Sequence, residues 1–226
     1  MVPASHGIAP EGLPIILMAV LATLVFALLK VPSLAVLCLL FCAFSVHFFR
    51  DPERVVPEEP GIAVSPADGR IEQITQRRDP FNGEERLCVS IFMNVFNVHV
   101  NRVPVSCEVA GIKYFPGKFF NASLDKASEE NERCAWMLRG ERGEIWYMVQ
   151  IAGLIARRIV CRASQGDRLS RGERCGMIRF GSRVDLYLPA GYDTTVKVGD
   201  HVVAGQSVLA REKDTIRKPF QPPSNH

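Results

Sequence analysis

Two apolar runs near the N-terminus, Leu13 to Leu29 and Val31 to Phe49, constrain this chain before any other feature does. Between residues 12 and 49 the only charge is Lys30. So apolar a stretch must find either a large protein core or a bilayer. A spanning helix takes about 20 apolar residues, with a range of about 17 to 25, so each run is near the short end. Lys30 and Pro32 between the runs suit a tight turn, because proline cannot continue a helix interior. The reading is a membrane-embedded helical hairpin over residues 12–49 with both ends in the cytoplasm. Arg50 and Arg54 follow it directly, as the positive-inside preference requires. A single long anchor, a buried helix pair and a re-entrant hairpin are the alternatives. No basic segment precedes the first run and no small-residue cleavage site follows it, which argues against a signal peptide. Residues 1–11 read as a disordered start.

Beyond the hairpin the pattern changes. Residues 50–60 are rich in Pro and Glu and read as a linker. From Gly61 short apolar strands alternate with turn signals. Examples are Ile62-Ala63-Val64 before Asp68-Gly69, the run Leu87 to Val95, and the stretches Val105 to Lys113, Ala135 to Leu138, Ile145 to Ile151 and Ile155 to Cys161. A long polar loop with a helical turn near Leu124 to Asn131 is expected between Tyr114 and Glu132. Thr194 to Gln206 is similar to the β-hammerhead of biotinyl and lipoyl carriers but lacks a carrier lysine. The fold class expected is therefore a mainly β (α+β) soluble domain over residues 61–210, with a β-hammerhead-like C-terminal part. The hydrophobic helical hairpin precedes it, and residues 211–226 form a polar tail.

Composition narrows the function. The chain has 226 residues, enough for one sizeable core and an appendage. A formal net charge of +3 gives no bulk signal for nucleic acid. Arg157 to Arg183 does hold eight arginines against Asp167 and Glu173. That run is either a solvated loop or a patch for the headgroups of an anionic phospholipid membrane. The seven cysteines are odd in number and show no Cys-x-x-Cys spacing, so reduced thiols are expected rather than a disulfide framework. No His-Glu-x-x-His and no cluster of metal ligands is apparent, so no metal is implied.

Between two strand-like runs, Cys175 to Phe180 and Val184 to Pro189, lies Gly181-Ser182. Glycine has no Cβ to crowd its carbonyl, and the next residue carries a hydroxyl. That pairing is what an intramolecular N-to-O acyl shift needs. By itself Gly-Ser is a common turn dipeptide. It stands, however, in an ordered set: Phe48-Phe49-Arg50-Asp51-Pro52, Ser65-Pro66-Ala67-Asp68-Gly69, Asn97-Val98-His99-Val100-Asn101-Arg102-Val103-Pro104, Ala152 to Ile159, and Gly176 to Arg183.

Together these five motifs closely resemble the short-form phosphatidylserine decarboxylase proenzymes of bacteria and archaea, from about Phe48 to about Ala210. The resemblance implies cleavage between Gly181 and Ser182 into a β chain, 1–181, and an α chain, 182–226. It implies that Ser182 becomes a covalent pyruvoyl cofactor, without pyridoxal phosphate, which forms a Schiff base with the amine of phosphatidylserine. The product would be phosphatidylethanolamine, the location the cell membrane. His99 is the acid–base candidate, since an unperturbed pKa of about 6.5 serves both roles near neutrality. Asp68 matches an aspartate that orients a base or helps activate Ser182. Arg183 is a candidate for the lipid phosphate. Longer family members carry His-x-x-His; here the second histidine's position is Arg102, a poor base. Either His99 serves both steps, or strain with help from Asp68 drives self-cleavage. A pyruvoyl decarboxylase of a soluble amino acid and a membrane-anchored β-rich binding module are the competing readings. The oligomeric state is left open, a homo-oligomer included.

Overall fold

Alternating and wholly apolar runs become pleated strands from Ile62 onward, as a period of two requires. The computed structural model describes residues 7–120, 130–153, 159–178 and 182–213. Its largest element is an antiparallel sheet of eight strands. In sheet order these are β13 (His201–Val202), β2 (Gly69–Arg78), β3 (Glu85–Met93), β11 (Ser182–Tyr187), β7 (Ile145–Ala152), β6 (Arg133–Gly140), β5 (Cys107–Phe115) and β9 (Arg168–Leu169). Register slips at Ile71/Gln73 and Val109/Gly111 mark bulges, which strengthen twist and curl the sheet. A small sheet joins β4 (Val100–Arg102), β10 (Arg174–Ile178) and β8 (Ile159–Cys161). Another joins β1 (Ile62–Val64), β14 (Val208–Glu212) and β12 (Tyr192–Thr194). The domain is mostly β, as expected.

The core sits on one face of the large sheet. Val89, Ile91, Met93, Trp136, Met148, Val184 and Leu186 pack there against Ala63, Ile178 and Leu209 from the smaller sheets and Val103 just after β4. Cys88, Ala135, Tyr147, Val149, Ile151 and Tyr187 cluster on the opposite face. Every residue of β11 is buried, so this central strand has no solvent side. Two glycines permit close approach of the layers. A Cβ on Gly69 would lie 2.2 Å from the Phe92 carbonyl oxygen. One on Gly176 would lie 2.3 Å from the Val160 carbonyl oxygen and 3.0 Å from Gln150 Nε2.

The two apolar runs form α1 (Leu13–Leu28) and α2 (Pro32–Phe48), packed as a hairpin. The turn is a Schellman closure. Val31 N–H donates to the Phe26 carbonyl and Lys30 N–H to that of Ala27, with Lys30 at φ 55°. Pro32 then occupies the first turn of α2, where its missing N–H costs nothing. Pro10–Leu28, which includes an opening 3-10 turn, is long and apolar enough to cross a membrane. At 16 and 17 residues the α-helical parts measure about 24 and 26 Å, short of a hydrocarbon layer of about 30 Å.

Two boundary segments differ from expectation. The described part of the expected disordered start, residues 7–11, is ordered. Ala9 N–H donates to the Phe49 carbonyl and Asp51 N–H to that of Gly7, a bridge that ties the two feet of the hairpin together. Residues 51–59 hold no regular element, yet they are no loose linker. Asp51 is buried against Arg174, at 2.8 Å, and Arg102, at 3.6 Å. Apolar periodicity could not reveal either clamp, because both are made by backbone and charge. The helical turn expected near Leu124 falls mostly outside the described residues. So does most of the expected strand from Ile155, and the tail beyond Lys213.

Candidate active site

Ser182 opens β11. Arg179 to Gly181 lie outside the described residues, so of the Gly181-Ser182 pair only the serine is placed. It pairs with Met93 of β3 on one side and Ala152 of β7 on the other. Directly opposed residues share a face, so the Ser182 side chain points into the core with Val184 and Leu186. It is fully buried, and its hydroxyl has no hydrogen-bond partner among the described residues. An orphaned polar group of this kind costs about 1–3 kcal/mol.

His99 lies just ahead of β4 and is also fully buried. Its Nδ1 is 2.9 Å from the Asn97 carbonyl oxygen. A carbonyl only accepts, so Nδ1 carries the proton and Nε2 presents a lone pair. That Nε2 has no partner among the described residues. The ring lies against Phe48, the last residue of α2, with centroids 4.3 Å apart. Burial lowers the pKa of His99 from 6.5 to about 4; the Asn97 carbonyl opposes this and the nearby Arg50 charge reinforces it. The imidazole is therefore neutral near pH 7, a free base in a dry site.

Backbone connections bring these two unpartnered groups to one end of the sheet. The Ile178 N–H donates to the His99 carbonyl at 3.3 Å. Ser182 follows Ile178 by four positions, a reach of at most about 14 Å. Met93, opposite Ser182, begins the turn that leads to His99. A polar chain lies beneath. Trp136 Nε1 donates to Gln150 Oε1 at 2.8 Å, Gln150 Nε2 to Asn101 Oδ1 at 2.9 Å, and Asn101 Nδ2 approaches Met93 Sδ at 3.8 Å. Sequence reading missed Gln150, whose signal was a lone amide inside the apolar run Ile145 to Ile151.

Asp68 stands at the same sheet end. The next residue, Gly69, is the first of β2, two strands from β11, which is about 10 Å. Its Oδ1 accepts the Ala204 N–H at 2.8 Å and its Oδ2 accepts Arg54 Nη2 at 3.0 Å. The structure does not join Asp68 to His99 by a hydrogen bond.

Arg183 is placed differently from expectation. It follows Ser182 by one position and so faces the other side of the sheet. It is fully buried; its Nε and Nη2 reach the two Asp185 oxygens at 2.6 and 3.0 Å, and Nη2 also donates to Ser90 Oγ at 2.8 Å. Burial works against its charge, but the Asp185 carboxylate outweighs that and raises its pKa. A guanidinium so engaged does not reach out to a lipid phosphate, and that expectation finds no support in this placement. Much of the basic run is spent likewise: Arg162 on Glu11, Arg174 on Asp51 and Glu53, Arg171 on the carbonyls of Glu59 and Ile62. Arg102 is buried too. It pairs with Asp51 and donates to the Gly172 and Pro52 carbonyls, so three positions after His99 it clamps the chain.

The hairpin reaches this site. Arg50, at its foot, donates to the His47 and Phe96 carbonyls. Between α1 and α2 an apolar cavity of about 460 Å³, lined by Ile15, Met18, Phe41 and Phe44 among others, runs down to Phe48 beside His99.

Fold and site together define a β-rich domain seated on an apolar hairpin, with a neutral His99 against the last residue of α2 and a buried Ser182 at the same end of the sheet, neither side chain's free atom partnered among the described residues. The sequence profile of phosphatidylserine decarboxylase matches residues 41–210. A phosphatidylserine decarboxylase proenzyme of Oleidesulfovibrio alaskensis is 64% identical over 95% of this chain and 98% of its own. Those of Nitratidesulfovibrio vulgaris and Nitrosomonas europaea are 61% and 51% identical over 92% and 90% of this chain, and 96% and 94% of their own. The chain belongs to the phosphatidylserine decarboxylase family and is an enzyme of that family.

Proposed function

We propose that this chain converts phosphatidylserine to phosphatidylethanolamine and carbon dioxide, using a pyruvoyl group that it makes from its own Ser182. The observation that carries the reading is the Ser182 hydroxyl, buried at the head of a central strand and without a partner among the described residues. A buried polar group without a partner calls for an explanation, and a catalytic role supplies one.

In self-processing, Ser182 Oγ attacks the Gly181 carbonyl carbon while Nε2 of His99 takes the hydroxyl proton. The acyl bond moves from nitrogen to oxygen. β-Elimination then breaks the Ser182 Cβ–Oγ bond and frees residues 1–181 with a carboxylate end. Water releases ammonia from the dehydroalanine left behind, and residues 182–226 begin with the pyruvoyl group. That group supplies an electrophilic carbonyl for the substrate amine and a sink for the electrons of the breaking carbon–carboxyl bond. His99, shielded by Phe48, takes a proton from the substrate ammonium as the amine is freed to react, and then returns it to the substrate carbon. Asp68 steadies this sheet end through Arg54 and the Ala204 N–H and is the second candidate for a part in self-cleavage. No role in phosphate binding is given to Arg183.

The hairpin supports a lipid substrate. Leu17, Met18, Leu28 and Leu40 are among its exposed apolar side chains. Embedded in the cell membrane, with the domain on the cytoplasmic side, it would offer the α1–α2 cavity to an acyl chain and bring the headgroup to His99. A denaturing gel and a liposome assay test the whole reading. Two fragments, 1–181 and 182–226, with borohydride and an amine trapping a carbonyl on the smaller, are expected alongside carbon dioxide release from phosphatidylserine. A single uncut chain that is nonetheless active would end it.

A further inference from the structure

Two cysteines that the reaction does not use lie side by side. Cys134 is buried on β6 of the large sheet; Cys161 is exposed on β8 of the small one. Their sulfurs are 3.1 Å apart. A disulfide measures about 2.05 Å, so closing it needs a movement of about 1 Å. The other described thiols offer nothing comparable. Cys88, Cys107 and Cys175 are buried, and burial pushes their thiols up, to about 12 for Cys107. Cys38 and Cys42 sit in α2.

The neighbourhood of the pair is the floor of the active site. Cys134 pairs in register with Gln150, and Cys161 Sγ is 3.8 Å from Gln150 Oε1. Gln150 is bonded to Asn101, which touches Met93 opposite Ser182. Cys161 also pairs with Gly176 of β10, the strand that runs on toward Ser182.

We propose that Cys134 and Cys161 are an oxidisable pair whose disulfide ties the small sheet to the large one beneath Ser182 and lowers turnover reversibly. Cys161 is the accessible partner, and the hydrogen bond from Cys134 favours its thiolate against the opposing effect of burial. Its thiolate attacks one sulfur of a small external disulfide, the S–S bond breaks, and one thiolate leaves and takes a proton from solvent. Cys134 then loses its proton and attacks Cys161 Sγ, releasing the second thiol. The protein gives up two electrons and the external disulfide becomes two thiols. Drawing β8 in by about 1 Å carries its partner β10 along, and a displacement of that size near reacting groups can cost about 100-fold in rate.

The turnover arm rests on the decarboxylase reading; the chemical arm does not. Full-length processed protein in detergent is treated with bis(2-hydroxyethyl) disulfide, which carries no amine to react with the site, and mapped by trypsin without reduction. A cross-link between the peptides Cys134–Arg139 and Ile159–Arg162 is expected. A fall of at least about ten-fold in carbon dioxide release should accompany it. Tris(carboxyethyl)phosphine should restore the rate, and Cys161→Ser should keep its full rate through the treatment. Free thiols or only mixed adducts at Cys161 would overturn the proposal, whether or not the protein decarboxylates. A cross-linked protein with undiminished turnover would overturn it too, as would an equal loss in Cys161→Ser.

Discussion

On one face of β11 the buried hydroxyl of Ser182 has no partner among the described residues. On the other face Arg183 and Asp185, equally buried, close two hydrogen bonds on each other, and a third runs from Arg183 to Ser90. Only Nη1 of Arg183 is left over. The two faces obey one rule with opposite results. A buried charge costs too much to be left alone, so it is paired on the spot. A buried neutral hydroxyl or imidazole costs about 1–3 kcal/mol unpaired, a sum a fold can carry where chemistry needs a free group. Under the proposed function, partnership and not burial is what sets Ser182 and His99 apart from Arg183 and Asp185.

The sharpest way to break this comparison is to remove the unpartnered hydroxyl. Ser182→Ala is expected to give an uncut chain on a denaturing gel and no decarboxylation, with stability equal to the parent's or higher. Cleavage at the usual bond in that variant would return Ser182 to the structural class. His99→Ala comes next. A loss of about 10²–10⁴-fold in turnover by processed enzyme is expected from removing an acid–base group, measured as carbon dioxide release from liposomes. Should turnover survive unchanged, His99 is a packing residue beneath Phe48.

The paired face should respond in the other currency. Arg183→Gln leaves Asp185 buried with only the more distant Arg77, at 3.8 Å, and is expected to destabilise the fold by about 3 kcal/mol. Arg183→Met with Asp185→Leu should recover most of that, because two apolar side chains need no partners. Urea midpoints in detergent check both. Turnover per folded molecule should change little; a raised KM for lipid with unchanged stability would instead revive a substrate-binding role for Arg183.

How far the sequence reached depends on which force positions each residue. Strand runs such as Leu87 to Val95 and Ile145 to Ile151 were legible because burial of apolar side chains places them. Ser182, His99 and Asp68 stood out in the sequence only as members of ordered motifs; nothing in their spacing says that the chain brings 182 and 99 toward one end of a sheet. The buried pairing of Arg183 was not legible because a run of eight arginines looks like a surface, whereas each partner of Arg162, Arg174 and Arg183 arrives from a distant or alternating position that composition does not encode. The two-residue strand β9 left no sequence signal either, since its neighbour and not its own residues makes it a strand.

Acid should expose the difference between the faces at its smallest. Arg183 keeps its proton throughout the accessible range, while His99 changes state. Burial gives His99 a folded pKa of about 4 against about 6.5 unfolded, so between those values the unfolded chain binds more protons. Stability from this group is therefore full above about pH 7 and declines as pH falls through 6.5 toward 4. The shift of about 2.5 units corresponds to at most about 3 kcal/mol. Unfolding free energies from urea titrations should fall by about 2–3 kcal/mol more between pH 7.5 and 4.5 in the parent than in His99→Gln, which has no proton to gain. Parallel curves would mean that the imidazole already meets water or a carboxylate in the folded protein, and the contrast between an unpartnered and a paired face would fail at its histidine.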